Sequence, residues 1–142
     1  MITYPISFTA KAESSSGIQT PWKIESQNLE IGCAIPTEFE GPGNALSPED
    51  LFAQALTNCF LATFKVFAEK SKLNFNHITA ESELVVDYDA NKRPVMKKFV
   101  LKSAIVGADN PERARTIANR AFSSGFILNS VKTELSLELQ IS

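Results

Sequence analysis

The sequence predicts an α+β domain with a mainly antiparallel sheet and the element order βββ-α-ββ-α-β. Three observations carry this prediction. Segments at both ends and in the middle alternate apolar with polar residues, as half-buried strands do. One long stretch, Pro48 to Lys70, is apolar at helical spacing, and two Pro-led helix starts divide the strands into groups. The 142 residues, 44% of them apolar and 21% charged, suffice for a single domain spanning 1–142 with a core of its own.

The first strand is expected from Ile2 to Lys11, where Ile2, Tyr4, Ile6, Phe8 and Ala10 fall on one side. Pro5 lacks the amide for a ladder bond, which suits a sheet edge. Ser14 to Gly17 reads as a turn, followed by a second strand around Ile18 to Glu25 and a third from Leu29 to Ile35. The Pro- and Gly-rich stretch from Pro36 onward excludes regular structure until Ser47. There Ser47 can cap, Pro48 suits the first helical position, and Glu49 and Asp50 place negative charge where the helix dipole favours it. The helix to Lys70 is roughly 35 Å long. Leu51, Phe52, Ala55, Leu56, Cys59, Phe60, Ala62, Phe64, Val66 and Phe67 cover more than one stripe of it, so cover from a partner subunit is expected. Gln54, Thr57, Asn58, Thr63 and Lys65 interrupt the run that a membrane span would need.

Ile78 to Tyr88 and Val95 to Gly107 read as a long hairpin joined at Ala90 to Pro94. Asp109 or Asn110 then caps a second helix led by Pro111, with Ala114, Ile117, Ala118, Ala121 and Phe122 at three-and-four spacing. The segment from Ser123 to Ser130 breaks it, and Val131 to Ile141 alternates as the last strand.

A formal charge of −2 argues against a face built for nucleic acid or anionic lipid, and neither partner is expected. Arg93, Lys97, Lys98 and Lys102 form a basic stripe without interleaved aromatics, as on a solvated strand. One histidine, His77, and two cysteines in separate segments offer no zinc spacing, so no metal and no cofactor are expected. The opening MITYPISF lacks a basic region followed by an apolar run, and the expected location is cytoplasmic.

Cys59 is the one sulfur on the long helix, and a thiolate is the strong nucleophile that this sequence offers there. A buried cysteine also serves as a small hydrophobe, and at three turns from the helix start the dipole gives the thiol little help. The run GPGNALSPEDLFAQALTNCFLATFKVFAEKSKL resembles the signature of the OsmC/Ohr family, in which a Pro-Glu-x-Leu helix start leads to a cysteine within an apolar helix. The resemblance implies an OsmC-like fold in an intertwined homodimer, two long helices at its centre and apolar pockets at the subunit interface. It further implies reduction of organic hydroperoxides through a peroxidatic cysteine at Cys59. Glu49 would help to hold the thiolate, and an external thiol or a lipoylated protein would be the reductant.

Two departures accompany the resemblance. The family's second cysteine matches Gly125, and its strand arginine is missing, since the first arginine here is Arg93 and only Lys11 and Lys23 bring positive charge to the first strands. A single-cysteine peroxidase, of weak or altered activity, is therefore expected. Cys33, in the apolar context Leu29-Ile31-Cys33-Ile35, reads mainly as packing, with resolution of Cys59 as its other role. The reading from a different class is a non-catalytic protein that keeps the fold and binds a small apolar or thiol-reactive ligand in the interface pocket.

Overall fold

The structure, a computed structural model, describes residues 2–142. Two α-helices and six strands follow in the expected order among these residues: β1 (Lys11–Glu13), β2 (Trp22–Ser26), β3 (Leu29–Cys33), α1 (Pro48–Lys70), β4 (His77–Tyr88), β5 (Pro94–Val106), α2 (Pro111–Ser124) and β6 (Glu134–Ile141). Single 3-10 turns stand at Leu128–Ser130 and at Thr37–Phe39, the latter inside the stretch expected to hold no regular structure. The chain divides into two compact units, one ending at Leu51 and the other running from Phe52 to Ser142.

The first unit holds an antiparallel sheet, β1-β2-β3. Gln27 and Asn28 both take positive φ, 53° and 61°, as the two-residue turn between β2 and β3 requires. Pairing of Ile24 with Ile31 and of Trp22 with Cys33 gathers apolar side chains on one face, while Lys23 and Glu30 are among those on the other. The expected strand at Ile2–Lys11 is shorter than its pattern: ladder pairing begins only at Lys11, and Ile2, Tyr4, Ile6 and Phe8 stay exposed. Alternation marks a segment suited to a sheet edge, but a strand forms only where an edge is available to it.

The second unit is a sheet of order β4-β5-β6 with helices on it. β4 and β5 pair antiparallel from His77 opposite Val106 to Tyr88 opposite Pro94, around a bulge at Val85/Val86. The Asp89 carboxylate accepts the amides of Asn91 and Arg93 at 2.8 and 3.0 Å and so closes this hairpin's turn. β6 lies parallel to β5, with Lys98 opposite Glu134 and Ile105 opposite Ile141, because α2 carries the chain back across the sheet between them.

Central position in the sheet makes β5 the core strand, and Phe99, Leu101 and Ile105 are fully buried on its inner face. Ser103 shares that face and donates to the Thr79 carbonyl at 2.8 Å, which satisfies the hydroxyl there. Leu56, Phe60, Phe64 and Ala68, each four residues after the last, form the stripe of α1 that meets this sheet. Ala114, Ile117, Ala118 and Ala121 are the buried face of α2, and Phe60 and Phe64 pack against Phe122 and Phe75 edge-on at 6.3 and 5.3 Å. Although α1 is long and apolar enough to cross a membrane by length and composition, its buried stripe makes it a core helix of this unit.

The opposite side of α1 carries Gln54, Asn58, Ala62 and Val66 and is exposed. The burial on most sides that its composition predicts is thus not reached within one chain. Of the two candidate caps for α2, Asn110 is the one used: its Oδ1 accepts the Arg113 amide at 3.1 Å. Asp109 instead bonds the backbone and side chain of Asn74.

Candidate active site

Residues Ser47 to Asp50 set the start of α1 by a capping box. The Ser47 hydroxyl accepts the Asp50 amide at 3.1 Å, and the Asp50 carboxylate accepts both the Ser47 amide and the Ser47 hydroxyl at 2.9 Å. Asp50 therefore does the work that first-turn charge alone assigned to both acids. Glu49 is half-buried, and its carboxylate makes no hydrogen bond or ion pair among the described residues.

Cys59 sits ten residues further along the same unbroken helix. A rise of 1.5 Å per residue separates it from Glu49 by roughly 15 Å, so the two predicted site residues do not meet along their own helix. The thiol is half-buried, free of any disulfide, and within its unit lies against the turn that follows α2. A Cβ placed on Gly125 would stand 2.8 Å from Cys59 Sγ, 3.2 Å from the Ala121 carbonyl oxygen and 3.2 Å from Leu128 Cδ1.

Gly125 has φ −57° and ψ 138°, a conformation open to any residue, so its backbone does not demand glycine. A side chain there would instead press on the sulfur, because a carbon in van der Waals contact with sulfur needs about 3.7 Å, and the thiol would have to turn aside to admit it. This local geometry comes from α2 itself. The helix ends with the Gly125 amide on the Ala121 carbonyl at 3.0 Å, and the chain turns at once through Leu128 to Ser130, with the Asn129 amide on the Gly125 carbonyl at 2.8 Å. Position 125, matched to the family's second cysteine by sequence alone, is thus brought against Cys59. Leu128 and the Ala121 carbonyl complete the contact. Neither is singled out by the sequence, where the three-and-four spacing of α2 places Ala121 in the core and leaves the following turn unassigned.

No cation is brought to the thiol by a hydrogen bond or ion pair among the described residues. The two lysines on the first strands are engaged where they stand, Lys11 with Glu25 at 3.8 Å and Lys23 with Glu30 at 3.0 Å. Arg93 pairs with Asp89 at 3.7 Å and Lys102 with Glu138 at 3.9 Å, as expected of a solvated strand stripe. Cys33 is buried, 1% exposed, and desolvation pushes its thiol above the ordinary value, which fits packing rather than reaction. His77 opens β4 as an exposed residue. No group of histidines, cysteines and acids suited to a metal is found among the described residues. A groove of about 690 Å³ in the second unit is lined by Phe52, Met96, Val131, Lys97 and Lys132 among others, and Cys59 is not part of its wall.

Residues 41–140 match the family model described as OsmC-like protein. The protein ACIAD3023 of Acinetobacter baylyi is 30% identical over 138 residues, covering 94% of this chain and 92% of its own. Among solved structures, the OsmC-like protein VCA0330 of Vibrio cholerae superposes with a TM-score of 0.85 at 19% identity, over 95% of this chain and 99% of its own. An organic hydroperoxide resistance protein OsmC of Legionella pneumophila does so with a TM-score of 0.74 at 23% identity, over 97% and 99%. Those two likenesses show the α+β fold with its long helix between the two sheets in chain order. With the model matched from before the α1 cap almost to the end of β6, the chain belongs to the OsmC-like protein family.

Proposed function

We propose that the protein is a cytoplasmic, homodimeric stress-response protein that reduces organic hydroperoxides through Cys59. The observation that carries this reading is the half-buried thiol of Cys59 on the core helix, seated against Gly125 at the position where the family's chemistry is expected. As a thiolate, Cys59 attacks an oxygen of the peroxide bond. The O–O bond breaks, and the attacked oxygen stays on sulfur with its hydrogen as a sulfenic acid, oxidised by two electrons. The other oxygen leaves as the alcohol after taking up the proton that the thiol released on ionising. An external thiol then returns it to the reduced form, since neither Gly125 nor the buried Cys33 offers a ready second sulfur.

The first unit supports the homodimer. Leu29 is 66% and Ile31 39% exposed on the apolar face of its sheet, and Phe8 on the preceding segment is 83% exposed. These exposed side chains are apolar surface of the first unit that a second copy of the chain would cover. The partner copy is also where a group able to face Cys59 would come from. The free carboxylate of Glu49 is one such group, too distant along its own helix to act on its own chain's thiol.

One observation favours the non-catalytic reading: among the described residues no cation is paired with Cys59, and an unassisted thiol is a weak nucleophile. In that case the protein keeps the fold and binds a small apolar or thiol-reactive ligand in a dimer-interface pocket. Turnover of cumene hydroperoxide with dihydrolipoamide and with simple thiols, measured for the wild type and for Cys59→Ser, separates the two. The peroxidase reading expects the substitution to abolish thiol-dependent turnover. Equal rates in the two proteins would end it and leave the binding reading.

A further inference from the structure

We infer that Gly125 sets which thiols can serve as reductant: with no second sulfur at position 125, oxidised Cys59 is left open to form a mixed disulfide with a small external monothiol. This rests on the hydroperoxide reading above and adds to it the class of the second substrate. The geometry is specific. In a disulfide, the Cβ of one cysteine lies about 3 Å from the sulfur of the other, given an S–S bond of about 2.04 Å and ordinary bond angles. The Cβ built on Gly125 lies 2.8 Å from Cys59 Sγ. The sulfur of Cys59 is therefore already turned to the place from which a residue at 125 could bond it, and the backbone there, φ −57° and ψ 138°, would accept a cysteine. The chain supplies a hydrogen atom in that place. The other sulfur, Cys33, is closed to solvent.

The consequence is chemical. With a cysteine at 125, the sulfenic acid would close an internal disulfide. Any monothiol that opened it would be expelled again by the neighbouring thiolate, so only a dithiol, which cyclises as it leaves, would reduce it well. With glycine, the sulfenic acid of Cys59 condenses with one monothiol, forming an S–S bond and releasing water. A second molecule of the same thiol attacks that bond, leaves as the symmetric disulfide with the first, and restores Cys59 as a thiol. Two thiols are oxidised for each hydroperoxide reduced to alcohol and water.

The test uses the whole protein, tert-butyl hydroperoxide and 2-mercaptoethanol. After one equivalent of peroxide, a sample trapped with dimedone reports the sulfenic acid. A parallel sample given 2-mercaptoethanol is expected to gain the mass of one such thiol less two hydrogens, mapped to Cys59, and to turn over with that thiol as sole reductant. Gly125→Cys is expected to lose two hydrogens internally instead. Its turnover with 2-mercaptoethanol should fall about tenfold or more relative to wild type, while turnover with dihydrolipoamide persists. A wild type that gives the dimedone adduct on Cys59 but neither takes up nor turns over with 2-mercaptoethanol overturns the inference and leaves the hydroperoxide reading standing. Absence of the dimedone adduct overturns both. Should Gly125→Cys fail to fold, the wild-type adduct and monothiol turnover decide the matter alone.

Discussion

Replacing Gly125 by alanine inserts one methyl group against the sulfur of Cys59. The methyl carbon would stand 2.8 Å from Sγ, about 0.9 Å inside an ordinary carbon–sulfur contact of about 3.7 Å, and 3.2 Å from both the Ala121 carbonyl oxygen and Leu128 Cδ1. Overpacking of this kind costs about 1–3 kcal/mol, against which the stiffer unfolded chain of an alanine returns roughly 0.4–1 kcal/mol. The expected net loss is about 1–2 kcal/mol. Cys59→Ala removes the closest obstructing atom, and in that background the same Gly125→Ala change keeps only the two 3.2 Å contacts and should cost little or nothing. A double-mutant cycle by urea unfolding, with all four proteins at one concentration because association contributes to apparent stability, should thus yield a coupling of about 1–2 kcal/mol. Additive effects, within about 0.5 kcal/mol, would refute the contact between the thiol and position 125.

Four further outcomes follow from particular residues. Ser47→Ala removes the hydroxyl of the α1 capping box and should lower stability by about 1 kcal/mol, read as a shift of the urea midpoint at constant slope. Phe60→Ala empties a fully buried aromatic site in the second unit and should cost about 3–5 kcal/mol in the same assay. The buried Cys33 thiol titrates higher in the folded than in the unfolded chain, so its contribution to stability is present below the unfolded value. It declines as pH rises from about 8.5 toward the folded value, and Cys33→Ala should flatten that alkaline slope. On the sheet of the first unit, Ile31→Asp places a charge on the face proposed to meet a second copy; light scattering should show a shift toward the monomer.

Much of the fold was legible because its signals are local. The Ser47-Pro48 start fixed the beginning of α1, the Asn110-Pro111 start that of α2, and period-two alternation located β4, β5 and β6 to within a few residues. The segment from Ile2 to Ala10 shows where local signals end. Its alternation is as regular as that of β6, yet no ladder forms there, because strand formation also depends on a neighbour that sequence spacing does not specify. The breadth of apolar residues on α1 is a similar case: composition reports the total surface that needs cover, and only the Leu56-Phe60-Phe64-Ala68 stripe finds it within the chain.

At the site, Cys59 stood out as the only sulfur on the helix and Gly125 through its place in the family's motif. Their contact was not legible from either, since it depends on how the end of α2 turns over the core. The division of labour between Glu49 and Asp50 was also hidden. Both are acids in a first helical turn, and only the side-chain bonds of Asp50 to Ser47 show which one caps and which is free.

The central claim, that Cys59 is the thiol that meets peroxide, is tested most directly by site-resolved mass spectrometry after one equivalent of cumene hydroperoxide. The account predicts a sulfenic acid, trapped by dimedone, on the peptide carrying Cys59 and none on that carrying Cys33. Oxidation confined to Cys33, or no oxidation of either thiol, would contradict it.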